Sequence, residues 1–175
     1  PPMVYGRCQM RQVFRLCSRA SGVVFQTPDA QAFYPEDVQR KSAIIPNPVM
    51  DGLPEWIGSD GAEKRVVTFC RLESQKNLPL LIEAFALFAG GRHDGWRLQI
   101  FGDGSQRAAL LKRAAELGIG GSVSIEPFAA DVHSRVRNAT MFVSSSDFEG
   151  LQNALIECMA MGMPCIATDC LGGGA

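Results

Sequence analysis

Residues 144–169 read SSSDFEGLQNALIECMAMGMPCIATD, and the fold of the chain is decided there. The preceding Met141-Phe-Val-Ser-Ser is a short apolar run ending in hydroxyls, which suits a buried parallel strand. Asp147-Phe-Glu-Gly is a tight turn. Leu151, Leu155, Ile156 and Met159 recur at helical spacing and predict an amphipathic helix over 151–161, closed by Gly162. Pro164-Cys-Ile-Ala-Thr opens a second buried strand. A helix starting there aims the unpaired N–H groups of Gly150, Leu151, Gln152 and Asn153 at one spot, which attracts phosphate or sugar oxygens. Glu149 stands beside that spot and Glu157 follows eight positions later. A carboxylate has several acceptor sites and can hold vicinal hydroxyls. An anion site between two carboxylates suits a ligand carrying both phosphate and diol. The alternative is a helix with two solvated glutamates.

Outward from this stretch, strands alternate with helices from Lys64 onward, the mark of a parallel α/β sheet. Strands are expected at 65–70, 96–101 and 122–126. Helices are expected at 78–89 (burying Leu81, Ile82, Phe85 and Phe88), at 105–117 with Gly118 as its cap, and at 130–138. Right-handed crossovers make this a doubly wound, Rossmann-like sheet, whose ligands sit beyond the carboxyl ends of the strands. Loops 70–77, 102–106, 127–128, 144–150 and 169–174 then share one rim.

Arg71 and Lys76 put two cations on that rim, enough to neutralise a diphosphate. Gly102 and Gly104 allow close backbone approach, to a ligand or within a tight turn. A nicotinamide fingerprint needs a third glycine where Arg107 stands, which argues against a dehydrogenase. Phe128 offers a ring for stacking or for ordinary packing. Ser144, Ser145 and Ser146 suit turn capping. His93 and His133 have no metal partner or nucleophile at useful spacing and receive no role.

Toward the amino terminus, residues 7–20 form a surface helix with Met10, Val13, Phe14, Leu16 and Cys17 on one face. Arg7, Arg11, Arg15 and Arg19 make a basic stripe, read as a solvated face. A strand is expected at 23–26. Thr27 caps a helix with Pro28 in its first turn, and Tyr34-Pro35 ends it. Another strand follows at 43–45. Residues 49–63 are rich in Gly, Pro, Asp and Ser and read as a linker, with Trp56 pinning it.

With 175 residues the chain can bury a real core. A net charge of −1 gives no electrostatic case for nucleic acid or an anionic membrane. The six cysteines show no metal or redox spacing and are read as reduced, buried and cytoplasmic. No apolar run is long enough to span a bilayer. The absence of an initial Met and the final Gly-Gly-Gly-Ala suggest a chain cut at both ends.

The run E-G-L-Q-N-A-L-I-E at 149–157, with A-M-G-M-P-C-I-A-T-D behind it, resembles the E-x7-E signature of retaining glycosyltransferases of the GT-B fold. More specifically it is similar to the bacterial group 1 sugar transferases that use nucleotide sugars. R-x4-K-N-L-x2-L-I-E-A-F at 71–85, G-x-G at 102–104 and I-P-N-P-V at 45–49 fit the same family in order, covering most of 44–174. Gln152 departs from it, since many relatives carry proline there to stiffen the helix start.

The resemblance implies a GT-B carboxy-terminal, donor-binding lobe at 64–175, lacking its closing helices. Residues 48–63 would be the interdomain linker and 1–47 the last elements of an amino-terminal lobe. Glu149 would contact the donor-sugar hydroxyls and Glu157 the ribose. Arg71 and Lys76 would hold the diphosphate and stabilise it as leaving group, assisted by the amides of Gly150, Leu151, Gln152 and Asn153. Gly102 and Gly104 would lie near the nucleotide and Phe128 near the base. Gly172, Gly173 and Gly174 would line the phosphates. The reaction implied moves a hexose or N-acetylhexosamine from a nucleoside diphosphate, UDP by family frequency, to an acceptor hydroxyl with retention, in glycan, polysaccharide or glycolipid synthesis. It needs no cofactor and no metal, and there is no D-x-D. One carboxylate without a paired acid is not a glycosidase arrangement, so Glu149 is not read as a covalent nucleophile. The glycan or lipid-linked acceptor would bind through the missing lobe, at the inner face of the cell membrane, and this chain alone would bind donor but turn over poorly. A sugar-nucleotide epimerase of the same fold and a non-catalytic nucleotide- or glycan-binding module are the alternatives.

Overall fold

The computed structural model describes residues 7–91 and 95–170, with residues 7 and 8 by backbone alone. His93 and the glycines 172–174 lie outside the described residues. The chain divides into two compact units. One holds residues 7–48, 148–152 and 169–170, and the other holds 49–147 and 153–168.

The first unit runs α1 (Arg7–Arg19), β1 (Val23–Phe25), α2 (Pro28–Ala32), α3 (Glu36–Gln39) and β2 (Ser42–Ile44). β1 and β2 pair in parallel, Val23 opposite Ser42 and Phe25 opposite Ile44. Thr27 is extended and its hydroxyl accepts from the Ala30 N–H at 3.1 Å, with Pro28 in the first turn, so the expected cap is present. Pro35 both ends one helix and precedes the next. Beyond α2 it has no N–H with which to continue that helix, and the acidic Glu36 and Asp37 then favour a new first turn, which sequence inspection did not anticipate. Phe14, Phe25, Phe33 and Tyr34 form an aromatic cluster around this unit's core. Arg11, Arg15 and Arg19 are exposed as expected. Leu16 is 70% exposed, contrary to its expected place on the buried face. Two residues from Phe14 put it about 200° round the helix.

In the second unit every expected strand and helix is present. β3 (Glu63–Phe69), α4 (Leu78–Ala89), β4 (Arg97–Phe101), α5 (Arg107–Glu116), β5 (Val123–Glu126), α6 (Val132–Val136), β6 (Ala139–Ser144), α7 (Asn153–Ala160) and β7 (Cys165–Ala167) follow one another. The sheet order is β5-β4-β3-β6-β7 and every pairing is parallel.

Strand residues alternate between two cores. Val66, Leu98 and Ile100 join Leu78, Leu81, Ile82, Phe85 and Leu110 of α4 and α5 on one face. Val67, Phe101 and Phe142 join Val132 and Val136 of α6 and Cys158 of α7 on the other. Helices thus cover both faces, the doubly wound arrangement expected, because a strand buried on both sides needs a partner for each set of side chains.

Residues 49–63 lack periodicity but are docked against this unit. The Trp56 indole N–H donates to the Ala139 carbonyl at 2.7 Å, and the Trp56 backbone N–H to that of Met161 at 2.9 Å. No described helix is long and apolar enough to cross a membrane.

α5 and α6 are shorter than expected at both ends, and the start of α7 needs correction. α7 begins at Asn153, not at Leu151, so Gly150, Leu151 and Gln152 lie ahead of the helix. They are grouped with the other compact unit, and tertiary packing of that segment outweighs its helical spacing. Of the four amides expected to form the helix start, only that of Asn153 belongs to it.

Candidate functional site

Five parallel strands end on one edge of the sheet, and the order reverses between β3 and β6, where the chain returns from β5 to the other side of β3. In open α/β sheets this switch point is where ligands bind, because the loops on either side diverge and leave a crevice.

The loop after β3 is anchored by Leu72, fully buried, and a single 3-10 turn at Ser74–Lys76. That turn ends on Asn77 in the left-handed conformation (φ 42°), the one non-glycine with positive φ among the described residues. The Asn77 side-chain amide donates to Asp147 Oδ1 at 2.7 Å, in the loop after β6. The Asp147 N–H donates back to the Gln75 carbonyl at 2.9 Å. The Ser145 hydroxyl donates to the Lys76 carbonyl at 2.8 Å. Three hydrogen bonds therefore tie the two switch-point loops together. Ser145 and Ser146 are buried, and the Ser146 carbonyl accepts from the Thr168 hydroxyl at 2.6 Å. Turn capping was expected of these serines, whereas the Ser145 hydroxyl bonds across two loops. Arg71 is exposed on this fixed loop and Lys76 is half-buried.

Gly102 and Gly104, after β4, are explained by the chain itself. A Cβ on Gly102 (φ +155°) would lie 1.9 Å from the Cys70 carbonyl oxygen, and one on Gly104 (φ +157°) 2.5 Å from that of Leu72. The Leu72 N–H donates to the Asp103 carbonyl at 2.9 Å between them. The glycines let the β4 loop lie directly against the β3 loop that carries Arg71. Phe128 is 69% exposed at the end of β5, and its N–H donates to the Asp103 carboxylate at 3.1 Å. Asp103 thereby links the β4 and β5 loops beneath an open aromatic ring.

Glu157 lies on α7, with its Oε2 2.9 Å from His133 Nε2 on α6; the two side chains are 21% and 11% exposed. The His133 ring packs edge-on against Phe69 at the end of β3, centroids 5.4 Å apart. Sequence reasoning missed this histidine. No spacing signal could have found it, because its partner is 24 residues away and the pairing depends on how two helices share one face of the sheet.

In the first unit, Glu149 and Gln152 are buried and Gly150 is exposed. The Gln152 side-chain amide donates to Cys170 Sγ at 3.6 Å. The sites expected together thus fall in two groups: Glu149, Gly150, Leu151 and Gln152 in one unit, and Arg71, Lys76, Gly102, Gly104, Phe128, Asn153 and Glu157 in the other.

Cys17, Cys158 and Cys165 carry free thiols. Burial raises the Cys158 pKa well above the ordinary thiol value and pushes Cys165 up to about 11, so both stay protonated and unreactive at neutral pH. Among the described cysteines Cys158 and Cys170 are buried, whereas Cys17, Cys70 and Cys165 are half-buried, contrary to the expectation that all are buried.

Residues 63–175 match the family model described as glycosyl transferases group 1. A lipopolysaccharide 1,6-galactosyltransferase of Salmonella typhimurium is 30% identical over 141 residues, covering 78% of this chain and 36% of the relative. The amylovoran biosynthesis glycosyltransferase AmsD of Erwinia amylovora is 31% identical over 113 residues, 65% of this chain and 31% of the relative. The crystal structure of Anabaena Alr3699/HepE in complex with UDP and glucose superposes with a TM-score of 0.84 at 21% identity, over 98% of this chain and 51% of that one. At that identity the likeness speaks to the fold alone. The chain spans about a third of the length of these two relatives.

Proposed function

We propose, from the premise that this chain belongs to the group 1 glycosyl transferases, that it is the donor-binding half of a retaining enzyme acting in polysaccharide or lipopolysaccharide synthesis. The donor is a UDP-linked hexose or N-acetylhexosamine and the acceptor a glycan or lipid-linked hydroxyl. Support for this substrate class comes from the named activities of the relatives, and the similarly folded HepE was crystallised in complex with UDP and glucose.

The observation that carries the proposal is the fixed loop at the switch point. Asn77, Asp147 and Ser145 hold residues 71–77 in place, and Arg71 is exposed on that loop. Glycosyl transfer leaves a nucleoside diphosphate on which negative charge builds. Cations already held in position stabilise that charge without reorganising, which is the largest kind of electrostatic contribution to catalysis. Arg71 is suited to the planar, two-oxygen contact that a phosphate offers, and Lys76 to a point contact. In this reading Glu149 orients the sugar hydroxyls and Glu157 the ribose, Phe128 provides stacking surface for the base, and Gly102, Gly104 and the amides from Gly150 to Asn153 border the phosphates. The two cations do the work a metal ion does in other transferases, so nucleotide affinity should be unchanged by a chelator. Acceptor binding and full turnover belong to the longer protein, acting at the inner face of the membrane, and the 175-residue chain alone should transfer sugar poorly.

Thermal unfolding against UDP, GDP, ADP, their sugar conjugates and NAD tests this. A ligand at 100 times its dissociation constant stabilises by about 2.7 kcal/mol, which for a domain of this size raises Tm by roughly 5–10 °C. UDP should give that shift, Arg71→Ala with Lys76→Ala should remove it, and NAD should give none. A cooperative melt unmoved by every nucleotide would overturn the proposal.

A further inference from the structure

We infer that His133 is a positioning residue for the nucleoside: it holds one oxygen of the Glu157 carboxylate so that the other is presented to a ribose hydroxyl. This rests on the nucleotide-binding role proposed above for Glu157 and adds a residue to which no role has been given. Three observations support it. Glu157 Oε2 and His133 Nε2 are 2.9 Å apart, the distance of a charge-assisted hydrogen bond. The imidazole cannot swing away freely, since its ring is packed edge-on against Phe69, which in turn packs against Phe142 at 5.2 Å between centroids. Both side chains are mostly buried yet neither is closed off, at 11% and 21% exposure, so the pair lies at the border of the core with a face left toward solvent.

The chemistry follows from the acceptor count. A carboxylate has roughly four lone-pair positions, and one imidazole N–H satisfies one of them. Here His133 fixes Oε2, and with it the plane of the carboxylate. A long, flexible glutamate is thereby converted into an acceptor of defined direction before any ligand arrives. Orienting an acceptor in advance lowers the entropy lost on binding. It also gives selectivity, because a site built to accept from a hydroxyl discriminates against an analogue that lacks it. With Nε2 donating its proton to the carboxylate, either charge state of the ring can play this part. A glutamine at position 133, with its own amide N–H₂, can replace it in part.

The test compares binding of UDP and GDP with that of their 2′-deoxy and 3′-deoxy analogues, by calorimetry on the whole chain. The variants are Glu157→Gln, His133→Ala and His133→Gln, each first checked for a cooperative melt. The unaltered chain should favour one ribonucleotide over at least one deoxy analogue. His133→Ala should weaken the ribonucleotide by about tenfold, the equivalent of one hydrogen bond to a charged group, while leaving the deoxy analogue nearly unchanged. His133→Gln should recover part of the preference and Glu157→Gln should remove it. If His133→Ala weakens ribo- and deoxynucleotides equally, or leaves the preference intact, the positioning role is overturned and the histidine serves packing alone. If the unaltered chain binds a ribonucleotide without regard to either hydroxyl, the ribose role of Glu157 fails, and this inference with it. Absence of any nucleotide binding would instead overturn the donor site itself.

Discussion

The two sheets among the described residues are both parallel and differ in almost everything else. In the five-stranded sheet, alternate side chains enter two separate cores, and Val67, Leu98, Ile100 and Phe142 are at most 2% exposed. The two-stranded sheet of β1 and β2 has three residues per strand, and Val24 and Ile44 are exposed. Its unit depends more on local devices: the Thr27 cap, the two turns flanking Pro35 and a cluster of four aromatic rings. A parallel strand paired on both edges and buried on both faces is stabilised by packing. A short strand with one partner is stabilised mainly by what its flanking turns fix. Substitutions should therefore be costly in one sheet and mild in the other.

The largest effect should come from Phe142→Ala. It empties a site in the second core that is 2% exposed, at a cost of about 4 kcal/mol. Both tryptophans, Trp56 and Trp96, lie in this unit, so their fluorescence during urea unfolding reports it directly. A midpoint unchanged from the parent would mean that the core relaxes around the gap, and the contrast between the sheets would be lost.

Gly102→Ala should come next, at about 3 kcal/mol, because the new methyl meets the Cys70 carbonyl oxygen and the β3 and β4 loops must separate. The same measurement checks it. The result also bears on function, since a parted loop moves Arg71; nucleotide affinity in this variant should fall with stability.

Thr27→Ala removes one cap hydrogen bond and should cost about 1 kcal/mol, read from the far-UV circular dichroism of the first unit's helices. Val24→Ala should change stability by less than about 0.5 kcal/mol, because the side chain is 60% exposed on a strand of three residues. If Val24→Ala proved as damaging as Phe142→Ala, β1 would be covered in solution by something outside the described residues, and the contrast would need redrawing.

Much of this was legible from residues alone. The helix at 78–89 was placed to the residue because Leu81, Ile82, Phe85 and Phe88 form a stripe at helical spacing. The Thr27 cap was legible because a cap is a contact over three residues, and the cationic loop after β3 because R-L-E-S-Q-K-N follows a strand. Elsewhere local pattern misled. The spacing of Leu151 and Leu155 suggested a helix from 151, but Gln152 is buried with its amide toward Cys170, and the helix waits until Asn153. Gly102 and Gly104 left open a ligand or a tight turn, and the structure shows them letting two loops of the protein touch.

The sequence by itself determined the succession of strands and helices, the doubly wound class, the capping turns and the chemical character of the loops after β3, β4 and β5: two cations, two glycines and an aromatic ring. Those properties depend on residues within a turn or two of each other, where periodicity and side-chain chemistry act directly. Only the tertiary structure decided which residues share a hydrogen bond across the sheet. It joined Asn77 to Asp147, brought Gly102 against Cys70 and set His133 against Glu157. Such pairs are fixed by strand order and by the packing of helices on a common face. Those are properties of the whole buried core, and no short stretch of the chain contains them.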